Sequence, residues 1–141
     1  MKTLALTAAI VVASTAALAE THYLAIHVDQ DDPQVMNMAL NNAQNVEAYY
    51  KEKGDDVVIE IVAYGPGLNM YVPGKSPVED RISAMSLEMD NLTFAACGNT
   101  LAGMSKKAGH DITLMDEAAV VPSGVVRLIE LQEQGYAYVR P

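Results

Sequence analysis

The chain has 141 residues, which is enough for one domain with a proper hydrophobic core. It carries 18 acidic residues against 9 basic ones, a formal net charge of −9 at pH 7. A surface of this sign repels phosphate backbones and anionic lipids, so we expect neither nucleic acid nor a membrane surface as a partner. The single cysteine, Cys97, excludes a disulfide within the chain.

Residues 1–19 have the pattern of a secretory signal peptide. Lys2 supplies the positive charge, residues 4–13 form a short apolar core, and the A-x-A sequence at 17–19 suits signal peptidase. The alternative is an N-terminal membrane anchor, for which the apolar core is short. We predict cleavage after residue 19, a single mature domain over residues 20–141, and a periplasmic or secreted location.

The remaining sequence alternates predicted strands with predicted helices. Apolar, β-branched runs predict five strands, at residues 22–28, 57–64, 92–97, 112–115 and 136–140. Helical spacing and end signals predict four helices, at residues 33–53, 78–91, 98–108 and 124–134. Alternation of this kind is typical of an α/β three-layer sandwich with an open, mostly parallel five-stranded sheet.

Several helix ends have recognisable signals. Asp32-Pro33 is typical of an N-cap followed by proline at the first helical position, and Gly54 of a helix stop. The segment Ser76-Pro77-Val78-Glu79 matches a capping box, and Asn91 suits a left-handed residue closing the same helix. In the last helix, the spacing predicts an inner face of Val125, Leu128, Ile129 and Gln132.

The apolar run at 92–96 ends at Cys97 and is followed by Gly98, Asn99 and Thr100. We interpret this stretch as a buried strand, a tight turn and a helix start. The helix would then direct its free N–H groups at the sulfur, where they and the helix dipole favour the nucleophilic thiolate. We predict Cys97 as the catalytic residue, with Gly98, Asn99 and Thr100 stabilising its negative charge. A buried, inert cysteine is the alternative.

Loops that follow the other strands are expected to meet Cys97. Ligands of open α/β sheets bind beyond the carboxyl ends of the strands. We therefore expect Asp29, the Gly65-Pro66-Gly67 turn and Ser123 to shape one cleft with Cys97. The turn lacks the G-x-G-x-x-G dinucleotide pattern, and the aspartates near residue 30 lack the calcium-loop pattern. We predict no metal and no cofactor.

Three segments resemble the DsrE-like proteins, the group that includes DsrE, DsrF and YchN. They are residues 94–100, residues 63–68 and residues 121–138. The resemblance implies a small α/β sandwich that assembles into homo-oligomers, as trimers or hexamers. It also implies a sulfur-relay chemistry in which a cysteine after a central strand carries sulfur as a persulfide. Cys97 occupies the matching place.

The predicted export signal departs from the cytosolic sulfur-relay members, so their partners do not transfer to this chain. The expectation is an exported DsrE-like protein that handles sulfur through one cysteine, as a persulfide carrier or sulfurtransferase, with donor and acceptor unidentified. The first alternative is a non-enzymatic oligomeric module that binds a small ligand or a metal. The second is a structural protein in which Cys97 is inert.

Overall fold

A computed structural model describes residues 18–141, so almost all of the predicted signal peptide lies outside the described residues. Within that range no helix is both long and apolar enough to cross a membrane. The elements in chain order are β1 (Thr21–Val28), α1 (Pro33–Lys53), β2 (Asp56–Ala63), a 3₁₀ helix (Gly65–Tyr71), α2 (Glu79–Glu88), β3 (Leu92–Cys97), α3 (Gly98–Ala108), β4 (Ala118–Val121), α4 (Gly124–Glu133) and β5 (Ala137–Val139).

The five strands form one sheet in the order β4-β3-β2-β1-β5, and every neighbouring pair is parallel. The predicted α/β class and five-stranded sheet are confirmed, and the sheet is parallel throughout. Helices α1, α2 and α3 pack with the 3₁₀ helix on one face, whereas α4 alone covers the other. The molecule therefore has three layers of unequal size.

Two hydrophobic cores separate along the two faces because successive strand residues point to opposite sides. On the α1 face, Ile26, Ile61 and Phe94 belong to a large buried core. On the α4 face the buried cluster is small: Ala25, Val62, Ala95, Leu128 and Leu131. Few apolar side chains therefore pack α4 against the sheet.

Helix α1 begins and ends as predicted. The Asp32 carboxylate accepts from the Gln34 N–H at 2.7 Å, and Gly54 ends the helix with a left-handed φ of 79°. Its polar face carries an amide row at Asn37, Asn41 and Gln44, whose side-chain oxygens accept from the Arg81 guanidinium of α2 at 2.6, 2.9 and 3.0 Å. The row joins α1 to α2.

The predicted capping of α2 is wrong at both ends. Ser76 Oγ accepts from the Val78 N–H at 3.2 Å and the Glu79 carboxylate accepts from the Gly74 N–H at 2.9 Å, so the reciprocal bonds of a capping box do not form. Helix α2 begins only at Glu79. Asn91 is not left-handed, because positive φ angles in residues 18–141 occur at glycines alone. Its side chain instead donates to the Val57 carbonyl at 2.8 Å.

The predicted fourth strand at 112–115 is also wrong. Strand β4 is Ala118–Val121, in register with Phe94–Cys97 of β3. The earlier apolar run closes the main core instead: Met115 is buried there, and its N–H donates to the Tyr71 carbonyl at 2.9 Å. Short apolar runs suit either role, and the register with β3 decides between them.

Only part of the predicted inner face of α4 is buried. Leu128 is buried as expected, but Val125 and Ile129 are 52% and 51% exposed. Gly124 and Leu131 complete the buried side, so the helix is rotated about its axis relative to the prediction. The exposed valine and isoleucine leave an apolar stripe on the outer surface of α4.

Gly67 lets the 3₁₀ helix pack directly on the end of β1. A Cβ atom at this position would overlap the Val28 carbonyl oxygen and lie 2.9 Å from the Asp29 nitrogen. We expect Gly67→Ala to lower the free energy of unfolding by about 2 kcal/mol, because the overlap is with rigid backbone. Urea denaturation of the two proteins measures the difference.

The matched control is Gly103→Ala, in the middle of α3, where an added Cβ would meet nothing within 4 Å. Alanine in a helix interior should raise stability by roughly 0.5–1 kcal/mol. Equal urea midpoints for the Gly67→Ala variant and the unmodified protein would contradict the close packing at β1.

Candidate functional site

The sheet has a topological switch point between β3 and β4. These strands are neighbours, yet β3 leads into α3 on the large-core face while β4 leads into α4 on the opposite face. Ligands of open α/β sheets bind at the carboxyl edge of such a switch point. Cys97 is the last residue of β3 and pairs with Val121 of β4 in this position.

Cys97 is both the end of a strand and the N-cap of a helix, as the sequence predicts. Its Sγ accepts a hydrogen bond from the Thr100 backbone N–H at an N···S distance of 3.5 Å. The residue as a whole is 5% exposed. The sulfur therefore lies at the positive end of α3 with little surface open to solvent.

Thr100 connects Cys97 to the Gly65-Pro66-Gly67 turn. Its hydroxyl oxygen accepts from the Gly65 N–H at 2.9 Å, while its backbone N–H donates to the Cys97 sulfur. Gly65 adopts a left-handed φ of 54°, a conformation that glycine tolerates well. The predicted cleft turn after β2 is thus linked to Cys97 through one threonine.

The first turn of α4 also contacts Cys97, and the sequence analysis did not identify it. A Cβ at Gly124 would lie 3.1 Å from Cys97 Cβ and 3.0 Å from Tyr64 Cβ, so only glycine fits without displacement. The Gly124 backbone N–H is among the groups that lower the pKa of the Cys97 thiol. The sequence signal for this contact is the helix start at Pro122-Ser123-Gly124, which places the N-terminus of α4 at the same carboxyl edge of the sheet as Cys97.

Hydrogen bonding determines how readily Cys97 ionises. Burial raises the pKa of the thiol, but hydrogen bonds from the Thr100 side chain and from the backbone N–H groups of Gly124, Thr100 and Asn99 lower it by more. The pKa of Cys97 therefore lies below its ordinary value, and the thiolate fraction near neutral pH is correspondingly larger.

Gly98 and Asn99 fasten the start of α3 to the loop before α4. The Asn99 N–H donates to the Pro122 carbonyl at 3.3 Å. A Cβ at Gly98 would come within 3.0 Å of the Val121 carbonyl oxygen, which makes close packing the visible role of this glycine. Together these contacts hold the two helix starts side by side.

The other predicted cleft residues lie at the same edge but make no hydrogen bond to the Cys97 sulfur. The Asp29 carboxylate forms a two-pronged pair with Arg140 at 3.0–3.2 Å. Ser123 occupies the N-cap position of α4, where its side chain makes no capping hydrogen bond. Pro66 lies within the 3₁₀ helix. None of these residues contributes a hydrogen bond to the Cys97 sulfur, which distinguishes them from Thr100.

A row of rings continues the site from Cys97 toward β5. Tyr64 packs beside Cys97 through Gly124, and its ring centroid lies 4.5 Å from that of His27. His27 is only 4% exposed and shares a 2.7 Å hydrogen bond between Nδ1 and the Tyr138 hydroxyl. Burial lowers the pKa of His27 and favours the neutral ring. Within residues 18–141, no cluster of three or more metal-ligating side chains forms.

Comparison with solved structures supports the fold. No family model matches the chain, and no curated protein matches it. A solved structure of a protein of unknown function from Methanobacterium thermoautotrophicum superposes with a TM-score of 0.71 at 30% sequence identity. The match covers 85% of this chain and 99% of that one. It supports the fold and carries no statement about activity.

The Thr100 hydroxyl offers a direct test of the site. We expect Thr100→Val to slow alkylation of Cys97 by iodoacetamide at pH 7 by about tenfold, the effect of one lost hydrogen bond to a charged group. The midpoint of the plot of alkylation rate against pH should move to higher pH, because loss of a donor raises the pKa of the thiol. Mass spectrometry of samples quenched at set times measures the rate and this midpoint.

Thr93→Val is the matched control. Thr93 lies on β3, four residues before Cys97, and its hydroxyl donates to the Ile59 carbonyl. Its alkylation profile should coincide with that of the unmodified protein. Coincident profiles for all three proteins would show that Thr100 does not stabilise the thiolate.

Proposed function

The chain belongs to the same protein family as the Methanobacterium thermoautotrophicum protein of unknown function, and we propose that its activity is centred on Cys97. The proposed function is sulfur handling: a persulfide carrier with sulfurtransferase-like chemistry. One observation carries the proposal. The only cysteine of the chain accepts a hydrogen bond from the Thr100 N–H at the start of α3, and the start of a second helix packs against it at Gly124.

The proposed chemistry needs an anionic sulfur at each stage. The Cys97 thiolate attacks the terminal sulfur of a donor persulfide, R–S–SH, forming a new S–S bond while the donor's S–S bond breaks. R–S⁻ leaves and Cys97 becomes Cys–S–SH. An acceptor thiolate then attacks the outer sulfur and releases the Cys97 thiolate. The hydrogen-bond donors stabilise that thiolate both as nucleophile and as leaving group.

The absence of a second cysteine from the sequence favours a carrier over a dithiol redox protein. A dithiol enzyme resolves its sulfur intermediate with a neighbouring cysteine of the same chain. In this protein a persulfide on Cys97 can pass its outer sulfur only to another molecule. The resemblance to DsrE-like proteins points to the same chemistry, and the predicted signal peptide assigns the proposed activity to an exported protein.

Assembly into homo-oligomers is part of the proposal. Val125, Val126 and Ile129, in the first two turns of α4, are each about half exposed. They follow Gly124, the residue of α4 that packs against Cys97. Exposed apolar side chains grouped on one helix favour a protein contact. The resemblance supplies the expected forms, a trimer or a hexamer.

A second candidate is a non-enzymatic binding module. A shallow groove of about 670 Å³ runs along α3 and is lined by Gly98, Leu101, Ser105 and Ile112, with Val120 on its far side. Its mixed apolar and polar lining suits a small organic ligand. In that case the Cys97 environment would serve packing, and sulfur transfer would not occur.

The test is transfer of sulfur from glutathione persulfide to the isolated protein. We expect intact-mass spectrometry to show a gain of one sulfur atom, peptide mapping to place it on Cys97, and dithiothreitol to remove it. The Cys97→Ser variant is the control and should gain no sulfur. Both proteins should give the same far-UV circular dichroism spectrum.

Labelling by iodoacetamide makes a negative result informative. If Cys97 is alkylated readily in the native protein but takes no sulfur from the persulfide, the carrier function is wrong and the binding module is favoured. If iodoacetamide also fails to label the native protein, Cys97 is inert and its role is structural.

A further inference from the structure

A buried ion pair connects α4 to the middle of the sheet. Glu60 lies in β2, on the face covered by α4, and is only 7% exposed. Both of its carboxylate oxygens accept from Arg127 of α4, at 2.7 Å from Nε and 2.7 Å from the terminal guanidinium nitrogen. This two-pronged geometry fixes orientation as well as distance.

The pair lies one helical turn from the site. The Arg127 N–H donates to the Ser123 carbonyl at 2.9 Å, so Arg127 belongs to the same turn that begins at Gly124. Gly124 packs against Cys97, with 3.1 Å from a Cβ at this glycine to Cys97 Cβ. Any shift of Arg127 along the sheet therefore moves the Gly124 N–H relative to the sulfur.

Hydrophobic packing alone does not hold the first turn of α4 in place. The buried apolar side chains of α4 are Leu128 and Leu131, both further along the helix. At the start of α4, Val125 and Val126 are exposed. Removing a carboxylate from water has a large desolvation cost unless it is paired, and Arg127 supplies this pairing for Glu60.

We propose that the Glu60–Arg127 ion pair is the positioning device that holds the first turn of α4 against Cys97 and so sets the reactivity of its thiol. Arg127 and Glu60 do not touch the reacting sulfur and are positioning residues. The inference rests on the proposed role of Cys97 as the reacting group. Its test reads thiol ionisation and not sulfur transfer, so the two proposals fail separately.

The sign of the effect separates positioning from direct electrostatics. Glu60→Gln removes a negative charge, so a through-space effect alone would lower the pKa of Cys97 and speed its alkylation. Loss of position withdraws the Gly124 N–H and raises the pKa instead. Arg127→Lys keeps the positive charge and loses the two-pronged geometry, so electrostatics alone predicts no change for it.

We expect both variants to slow iodoacetamide alkylation of Cys97 at pH 7 by roughly threefold to tenfold, with the midpoint of the pH profile displaced upward. The control is Arg81→Met, which removes another arginine that joins two elements, α2 and α1, on the opposite face of the sheet. Its thermal midpoint should fall while its alkylation profile stays unchanged.

Two results would overturn the proposal. In the first, Glu60→Gln and Arg127→Lys lower the thermal midpoint of unfolding but leave the alkylation profile of Cys97 unchanged. That outcome would mean that the ion pair serves stability alone. The other is faster alkylation in Glu60→Gln. If a single variant does not fold, the double variant Glu60→Gln, Arg127→Gln, which buries no charge, replaces it and carries the same expectation.

Discussion

The meeting of two helix starts at Cys97 constrains the rest of the structure. Thr100 of α3 donates its N–H to the sulfur, and Gly124 of α4 packs against the same residue. Two helices on opposite faces of a sheet can begin beside the same atom only where adjacent strands send their chains in opposite directions. The β3–β4 boundary is that place, so the topology of the parallel sheet determines which groups surround the thiol.

Close approach at this edge requires residues without side chains. Gly67 packs on the end of β1, Gly98 on the end of β4, and Gly124 against Cys97 and Tyr64. A methyl group at any of these positions would force backbone or a strand-end side chain to move. The glycines therefore allow the loops at this edge to pack closely against the strand ends.

The two faces of the sheet have different roles: one holds the large hydrophobic core, and the other holds the site around Cys97. The α1 face holds the large core and an arginine–amide row that joins its helices. The α4 face holds a small core, a part-buried ion pair, a buried histidine and the cysteine. A helix held by few apolar contacts can be positioned by specific polar ones, which suits a site whose donors must be placed to within a fraction of an ångström.

The sequence by itself determined the α/β class, the bounds of α1 and the position of Cys97 between a strand and a helix. These features follow from local rules: side-chain periodicity, N-cap chemistry and the helix-ending glycine. Only the tertiary structure decided which apolar run became β4, how α4 is rotated, and that Gly124 faces Cys97. Those outcomes depend on contacts between distant residues, such as Glu60 with Arg127, and no local pattern encodes the register that brings them together.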